Sequence, residues 1–293
     1  VTTQQTPGSR YRGRLFAALG ISLAVIAIEL VGWRWTGSLA LLADATHLSV
    51  DALGVALALF AIWLAGRPAT ARRTFGLQRA EVLAAAVNAI VVIGMGIVIL
   101  VGAVQRFANP PEVATGGMLL IALIALAGNA TSVLLLRSGQ KESLNVKGAF
   151  LEVLSDALAA ASTAVAAVVM ALTGFQRADA IVSALIGIML VPRAIALLRS
   201  AVNILLQAAP PGIDTERVRE RMASAEGVSD VHDLHVYSVT SGVLVASAHV
   251  VTPAGGTDPR PALDGLLRDE FGIEHSTIQV EPGARCSADG THR

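Results

Sequence analysis

Six long apolar runs fill the first two-thirds of the chain, near residues 15–35, 39–65, 82–104, 118–136, 150–172 and 178–198. A hydrocarbon layer of about 30 Å takes roughly 20 apolar residues as helix. The pattern therefore predicts an α-helical membrane protein with six transmembrane helices. Pro192 lies inside the sixth run, where a missing backbone donor is expected to kink the helix. Past Pro210 and Pro211 the pattern changes. Residues 213–225 are polar and amphipathic and read as a surface helix. Residues 231–237 and 243–251 alternate as strands, joined by a turn at Thr240–Gly242. Residues 258–271 read as a second helix, with Pro259 close to its start, and 276–281 as a third strand. The order α-β-β-α-β predicts a small α+β domain with helices on one sheet face. The tail from Gly283 has no pattern and reads as disordered. The expected division is a transport domain over 1–209, a soluble domain over 210–282 and a tail over 283–293.

Composition fits this picture. The chain is 54% hydrophobic and only 15% charged, where about 25% is usual in soluble domains. A formal net charge of zero, with no Lys/Arg block, argues against nucleic acid as a partner. The single cysteine, Cys286, can make neither an internal disulfide nor a Cys-rich zinc site. The first apolar run follows Arg14 without a small-residue cleavage pattern, so it reads as a retained helix and not a signal peptide. Basic residues alternate between connections. Arg10, Arg12 and Arg14 precede the first run, and Arg67, Arg72, Arg73 and Arg79 fill the second connection. Arg137, Lys141 and Lys147 fill the fourth, and Arg199 follows the sixth run. The remaining connections carry only Arg34, Arg106 and Arg177. By the positive-inside rule both termini are expected in the cytoplasm of a multi-pass inner-membrane protein, with the soluble domain on that side.

The candidate chemistry lies inside the apolar runs. His47 and Asp51 are four apart in the second run, and Glu152 and Asp156 are four apart in the fifth. Residues at i and i+4 share a helix face, so each pair aims two metal-ligand side chains in one direction. An ionisable group at membrane depth costs about 2.5–3.5 kcal/mol on insertion scales. A divalent cation between the two helices compensates all four. A water-filled polar stripe without metal is the bland alternative. Four ligands match the tetrahedral demand of zinc. Asp44 continues the stripe and is a candidate to orient His47 or to line the access path. Glu29 and Asn88 read as inter-helix hydrogen-bond partners.

Several motifs together resemble the cation diffusion facilitator family. They are Ser38-Leu-Ala-Leu-Leu-Ala-Asp-Ala-Thr-His47-Leu-Ser-Val-Asp51, Arg79-Ala-Glu-Val-Leu83 with Asn88, and Asn145-Val-Lys-Gly-Ala-Phe-Leu-Glu152-Val-Leu-Ser-Asp156-Ala. The soluble run Val231-His-Asp-Leu-His-Val-Tyr-Ser-Val-Thr-Ser-Gly242 joins them. The resemblance covers nearly the whole chain. It implies a homodimeric antiporter that exports divalent metal against protons, with a metallochaperone-like, ferredoxin-related cytoplasmic domain. It carries His47, Asp51 and Asp156 onto the family's transport site. Glu152 departs from zinc-transporting relatives, which often have histidine there. One imidazole with three carboxylates keeps zinc as the expected substrate, with cadmium and cobalt as further candidates.

Proton coupling follows from the same groups. Ligands bind metal deprotonated, so binding releases protons. Three carboxylates crowded into one small site cannot all stay ionised once the metal leaves, because like charge and desolvation both oppose it. The loop 138–145 has no histidine, and the second connection lacks His, Asp and Glu between Arg72 and Arg79, so no metal site is expected in either. In the soluble part His232, His249 and His275 are candidate ligands, with Glu281 as a fourth. Strand alternation puts His232 on the face opposite Asp233 and His235, with His249 and Glu281 across neighbouring strands. His292 reads as incidental; Cys286 could join a site, but one thiol after a proline-glycine turn is a weak sign of one. A non-transporting membrane metal sensor is the rival reading. A membrane enzyme is disfavoured, since no nucleophile–base pair or phosphate loop stands out.

Overall fold

The computed structural model describes residues 12–138, 144–240 and 242–283. The tail beyond Gly283, with Cys286 and His292, and most of the 138–145 loop lie outside the described residues.

Six long helices come first: α1 (Arg12–Thr36), α2 (Leu39–Ala65), α3 (Ala80–Ala108), α4 (Thr115–Leu136), α5 (Leu144–Thr173) and α6 (Arg177–Leu205). All six are long and apolar enough to cross a membrane. The shortest, α4, has 22 residues, a span of about 33 Å at 1.5 Å per residue. Large apolar side chains point outward along these helices, among them Val104, Leu158 and Leu172. That is the surface a lipid-facing helix needs, since hydrocarbon is as apolar as leucine. Helices α3, α5 and α6 extend several residues past their apolar runs, because helix propensity continues into the flanking polar residues. Helix α6 runs unbroken through Pro192.

The structure divides into two compact units, 1–56 with 87–196, and 57–86 with 197–293. In the first unit α4 packs on α1 and α5. Val25, Leu48, Ala125 and Ala160 join α1, α2, α4 and α5 in one buried cluster. Small residues permit the close approach: a Cβ on Gly32 of α1 would come within 2.8 Å of Ile121 on α4. A second cluster, Ala43, Val50, Val92, Ile99, Ile186 and Leu190, joins α2, α3 and α6.

The second unit holds the α+β fold. It comprises α7 (Thr215–Ala223), β1 (Asp230–Thr240), β2 (Val243–Thr252), α8 (Arg260–Phe271) and β3 (His275–Pro282). Asp214 caps α7 by accepting from the backbone N–H groups of Glu216 and Arg217, which satisfies two donors that the first turn leaves open. Gly272 ends α8 at φ 67°, a left-handed cap that glycine adopts without Cβ strain. The sheet order is β1-β2-β3. β1 and β2 are antiparallel, while β2 and β3 are parallel, as the α8 crossover between them requires. Val218 and Met222 of α7 and Leu263 and Leu267 of α8 are buried against Val231, Val236, Ala248 and Val250 of the sheet. The same unit includes the ends of α2, α3 and α6. Val82, Ala86 and Ala201 pack together there, and the Thr240 hydroxyl donates to Glu81 at 3.1 Å.

Candidate metal centre

His47 and Asp51 lie on consecutive turns of α2, and the i,i+4 spacing stacks them on one face. The buried Ala43, Leu48 and Val50 flank this face and seat α2 in the bundle. From α5, Asp156 meets them. His47 Nδ1 is 3.4 Å from Asp51 Oδ2 and His47 Nε2 is 3.7 Å from Asp156 Oδ1. These are ion-pair separations without hydrogen-bond geometry, and His47 Nδ1 and Asp156 Oδ1 have no hydrogen-bond partner. One ligand atom from each of the three residues lies within 4.8 Å of the others. Buried polar atoms are almost always satisfied. Orphaned imidazole and carboxylate atoms that converge at this distance suit a divalent cation.

Glu152 stands one turn before Asp156 on α5. It is exposed and lies outside the three-residue cluster, though within electrostatic range of His47 and Asp51. The structure thus brings together three of the four expected ligands and sets the fourth at the rim. Asp44 is fully buried against Glu29 of α1. Its side chain interacts with Glu29, and no hydrogen bond or ion pair between Asp44 and His47 is found among the described residues. Asn88 approaches Gly54 of α2, its Nδ2 standing 2.9 Å from where a Cβ would sit.

Asp179, at the start of α6, was not singled out by spacing. Its carboxylate accepts from the Ser38 hydroxyl at 2.6 Å and from the backbone N–H groups of Leu39 at 2.8 Å and Ala40 at 3.0 Å. Arg106 of α3 stands 3.5 Å away and also donates to the Gly37 carbonyl. Asp179 therefore caps α2, the helix that carries His47 and Asp51. A serine just ahead of a helix is a common capping residue, but nothing in it marks a partner 141 positions away.

The second cluster belongs to the α+β unit. His232 of β1 pairs directly with His249 of β2, their rings edge to face at 5.3 Å. Glu281 of β3 reaches both, at 2.9 Å from His249 Nδ1 and 3.4 Å from His232 Nε2. The three offer ligand atoms within 4.8 Å of one another. The expected opposition of His232 to Asp233 and His235 is corrected by a β-bulge. The register shifts between His232 and His235, which pair with His249 and Ser247, and Asp233 has φ 50°. One extra residue resets the alternation, so His232 and His235 share a face. Asp233 then stands 3.8 Å from His249 and 3.0 Å from His235, at the margin of the cluster. His275 sits at the other end of β3, six residues from Glu281 and about 20 Å along the strand, so it takes no part.

Six apolar spans, an intramembrane ligand cluster between two of them and a separate α+β unit define a polytopic membrane protein built around metal-ion chemistry. Comparisons with known proteins narrow the class. The cation efflux transmembrane domain matches residues 15–206, and the cation efflux protein cytoplasmic domain matches residues 210–283. The chain is 40% identical over 279 residues to the metal cation efflux system protein CzcD of Cupriavidus metallidurans, covering 94% of this chain and 88% of that one. It is 36% identical over 265 residues to the cadmium, cobalt and zinc/H(+)-K(+) antiporter of Bacillus subtilis, covering 88% and 85%. It is 37% identical over 283 residues to the zinc transporter ZitB of Escherichia coli, covering 96% and 90%. The chain belongs to the cation diffusion facilitator family of cation efflux proteins.

Proposed function

We infer that this protein exports zinc across a bacterial inner membrane in exchange for protons, working as a homodimer with both termini in the cytoplasm. The observation that carries the reading is the convergence of His47, Asp51 and Asp156 on a point within apolar spans. Glu152 completes the transport site from the rim. An imidazole among carboxylates suits zinc, and the printed names of the relatives extend the candidate substrates to cadmium and cobalt. Metal enters as the deprotonated ligands take it up and leaves as protons return to them. Crowded carboxylates titrate together, so the site and not one residue carries the coupling.

The working division is 1–209 for transport and 210–282 for a cytoplasmic, dimer-forming domain, with 283–293 as its tail. His232, His249 and Glu281 support a second, regulatory metal site in that domain, with Asp233 at its edge. Such a site adjusts transport to the metal level without taking part in the passage itself.

The test is metal-dependent proton flux in proteoliposomes, run with zinc, cadmium, cobalt and manganese on the wild type and on Asp156→Ala. Zinc uptake with opposed proton movement is expected for the wild type, and none for the variant. Zinc binding without vectorial flux would favour the sensor reading. Normal flux through a folded Asp156→Ala protein would remove this site from the transport path.

A further inference from the structure

We propose that the basic turn between α2 and α3, together with β1 and the end of α6, binds the headgroup of an anionic glycerophospholipid. Residues 66–79 carry four arginines and no acidic residue. The turn is ordered. Thr70 and Arg73 exchange backbone hydrogen bonds at 3.1 and 2.9 Å, and Gly76 N–H donates to the Arg73 carbonyl at 2.8 Å. Gly76 takes φ 67°, which lets the chain fold back on itself.

Arg72, Arg73 and Arg79 line a cavity of about 500 Å³ with Gln207 just past the end of α6, Tyr237 and Val239 of β1, and the apolar Phe75 and Leu83. No carboxylate lines it. Three exposed arginines of the α+β fold contrast with these three. Arg219 pairs with Glu216, Arg221 with Glu270 and Arg260 with Asp258. Among the described residues, no carboxylate within ion-pair distance is found for Arg72, Arg73 or Arg79. Three arginines in one lining, with no carboxylate among them, supply the donor set that phosphate oxygens accept from.

The apolar lining separates a lipid from a free phosphate. Leu83 is exposed and stands in the first turn of the membrane span Ala80–Ala108. Phe75 is exposed as well. The exposed Trp63 near the end of α2, with Arg67 stacked 4.3 Å from its ring centroid, marks the same connection as a membrane–water interface, where such amphipathic pairs concentrate. A cavity lined by both arginines and apolar side chains at that depth fits an amphiphile. Its phosphate meets the arginines and its glycerol backbone and chains follow Leu83 outward. Bulk attraction to an anionic leaflet needs no cavity, and the cavity is what makes this site specific.

The full-length protein, delipidated in detergent, is titrated with phosphatidylglycerol, phosphatidylcholine or inorganic phosphate, and bound lipid is read by native mass spectrometry. Phosphatidylglycerol is expected to be retained over phosphatidylcholine. The triple variant Arg72→Gln, Arg73→Gln, Arg79→Gln should bind it about fivefold less tightly per arginine, on the order of a hundredfold in all. The control Arg219→Gln, Arg221→Gln, Arg260→Gln removes the same charge elsewhere and should bind as the wild type does. Equal retention of both lipids, or equal losses in the two triple variants, would overturn the proposal. So would displacement of phosphatidylglycerol by inorganic phosphate at matched concentration, which would mark a free-anion site. If the triple variant does not fold, each single variant should still show its fivefold loss, and three unchanged single variants would overturn the proposal equally.

Discussion

Replacing Asp179 with alanine removes the acceptor that closes the first turn of α2. The carboxylate takes three hydrogen bonds, from the Ser38 hydroxyl and from the N–H groups of Leu39 and Ala40, and all four residues are buried. Ser38 also caps locally, its hydroxyl accepting from Leu41 N–H, so the turn is not left bare. Hydrogen bonds to a charged acceptor are worth about 1.5–3 kcal/mol each, and a buried donor left open costs about 1–3 kcal/mol. These figures describe overlapping losses and do not add. Breaking a buried charged cluster by removing one partner typically costs about 3–5 kcal/mol in all, and that is the expected destabilisation for Asp179→Ala. Asp179→Asn keeps one acceptor oxygen and should lose roughly half of it. Arg106→Gln should cost less than Asp179→Ala, because its ion pair is long and partly solvated and it gives up one hydrogen bond, to the Gly37 carbonyl, where Asp179→Ala gives up three. Thermal unfolding of the three purified variants in one detergent measures the order. His47 lies eight residues into α2 from Leu39, about 12 Å along the axis. Loosening the cap should therefore weaken metal binding at the His47 cluster, though no ligand has been touched. An Asp179→Ala protein that unfolds with the wild type, or no earlier than Arg106→Gln, would refute the reasoning.

Other variants address the remaining parts. Glu152→His should preserve zinc transport, lower manganese transport relative to zinc and alter the pH profile; unchanged selectivity and pH dependence would place Glu152 outside the transport site. Zinc should raise the melting temperature of a 210–283 fragment, by the equivalent of about 2.7 kcal/mol at a hundredfold excess over Kd. His232→Ala with His249→Ala should abolish that shift, and a fragment without any zinc effect would return these residues to a purely structural role. Arg221 holds the Glu270 carboxyl below the usual glutamate range through its hydrogen bond. The pair therefore supports the fragment above the ordinary glutamate pKa, and the support is lost as pH falls through the depressed value. Glu270→Gln should flatten that acid limb slightly, and an unchanged limb would show that solvent screens the pair completely.

The sequence by itself determined what local periodicity and short-range spacing can carry. Six apolar runs became six helices because backbone groups in lipid must be satisfied within the segment. His47 and Asp51 share a face because the helix repeat puts them there. The alternation of β1 and β2 and the polar amphipathic runs beside them likewise announced the α+β unit. Tertiary structure decided the rest, because it depends on contacts that no local period encodes. Asp179 meets α2 from 140 positions away, through the packing of α6 against it. The bulge at Asp233 inserts one residue into β1, and a single insertion reverses every face assignment beyond it. His275 and Glu281 share a strand, yet strand rise alone carries His275 out of reach of the histidine pair. Glu152 satisfies the same i,i+4 rule with Asp156, yet only Asp156 joins His47 and Asp51, because packing decides which turn of α5 meets α2. Spacing fixes which residues of one helix face the same way. Only packing fixes what they face.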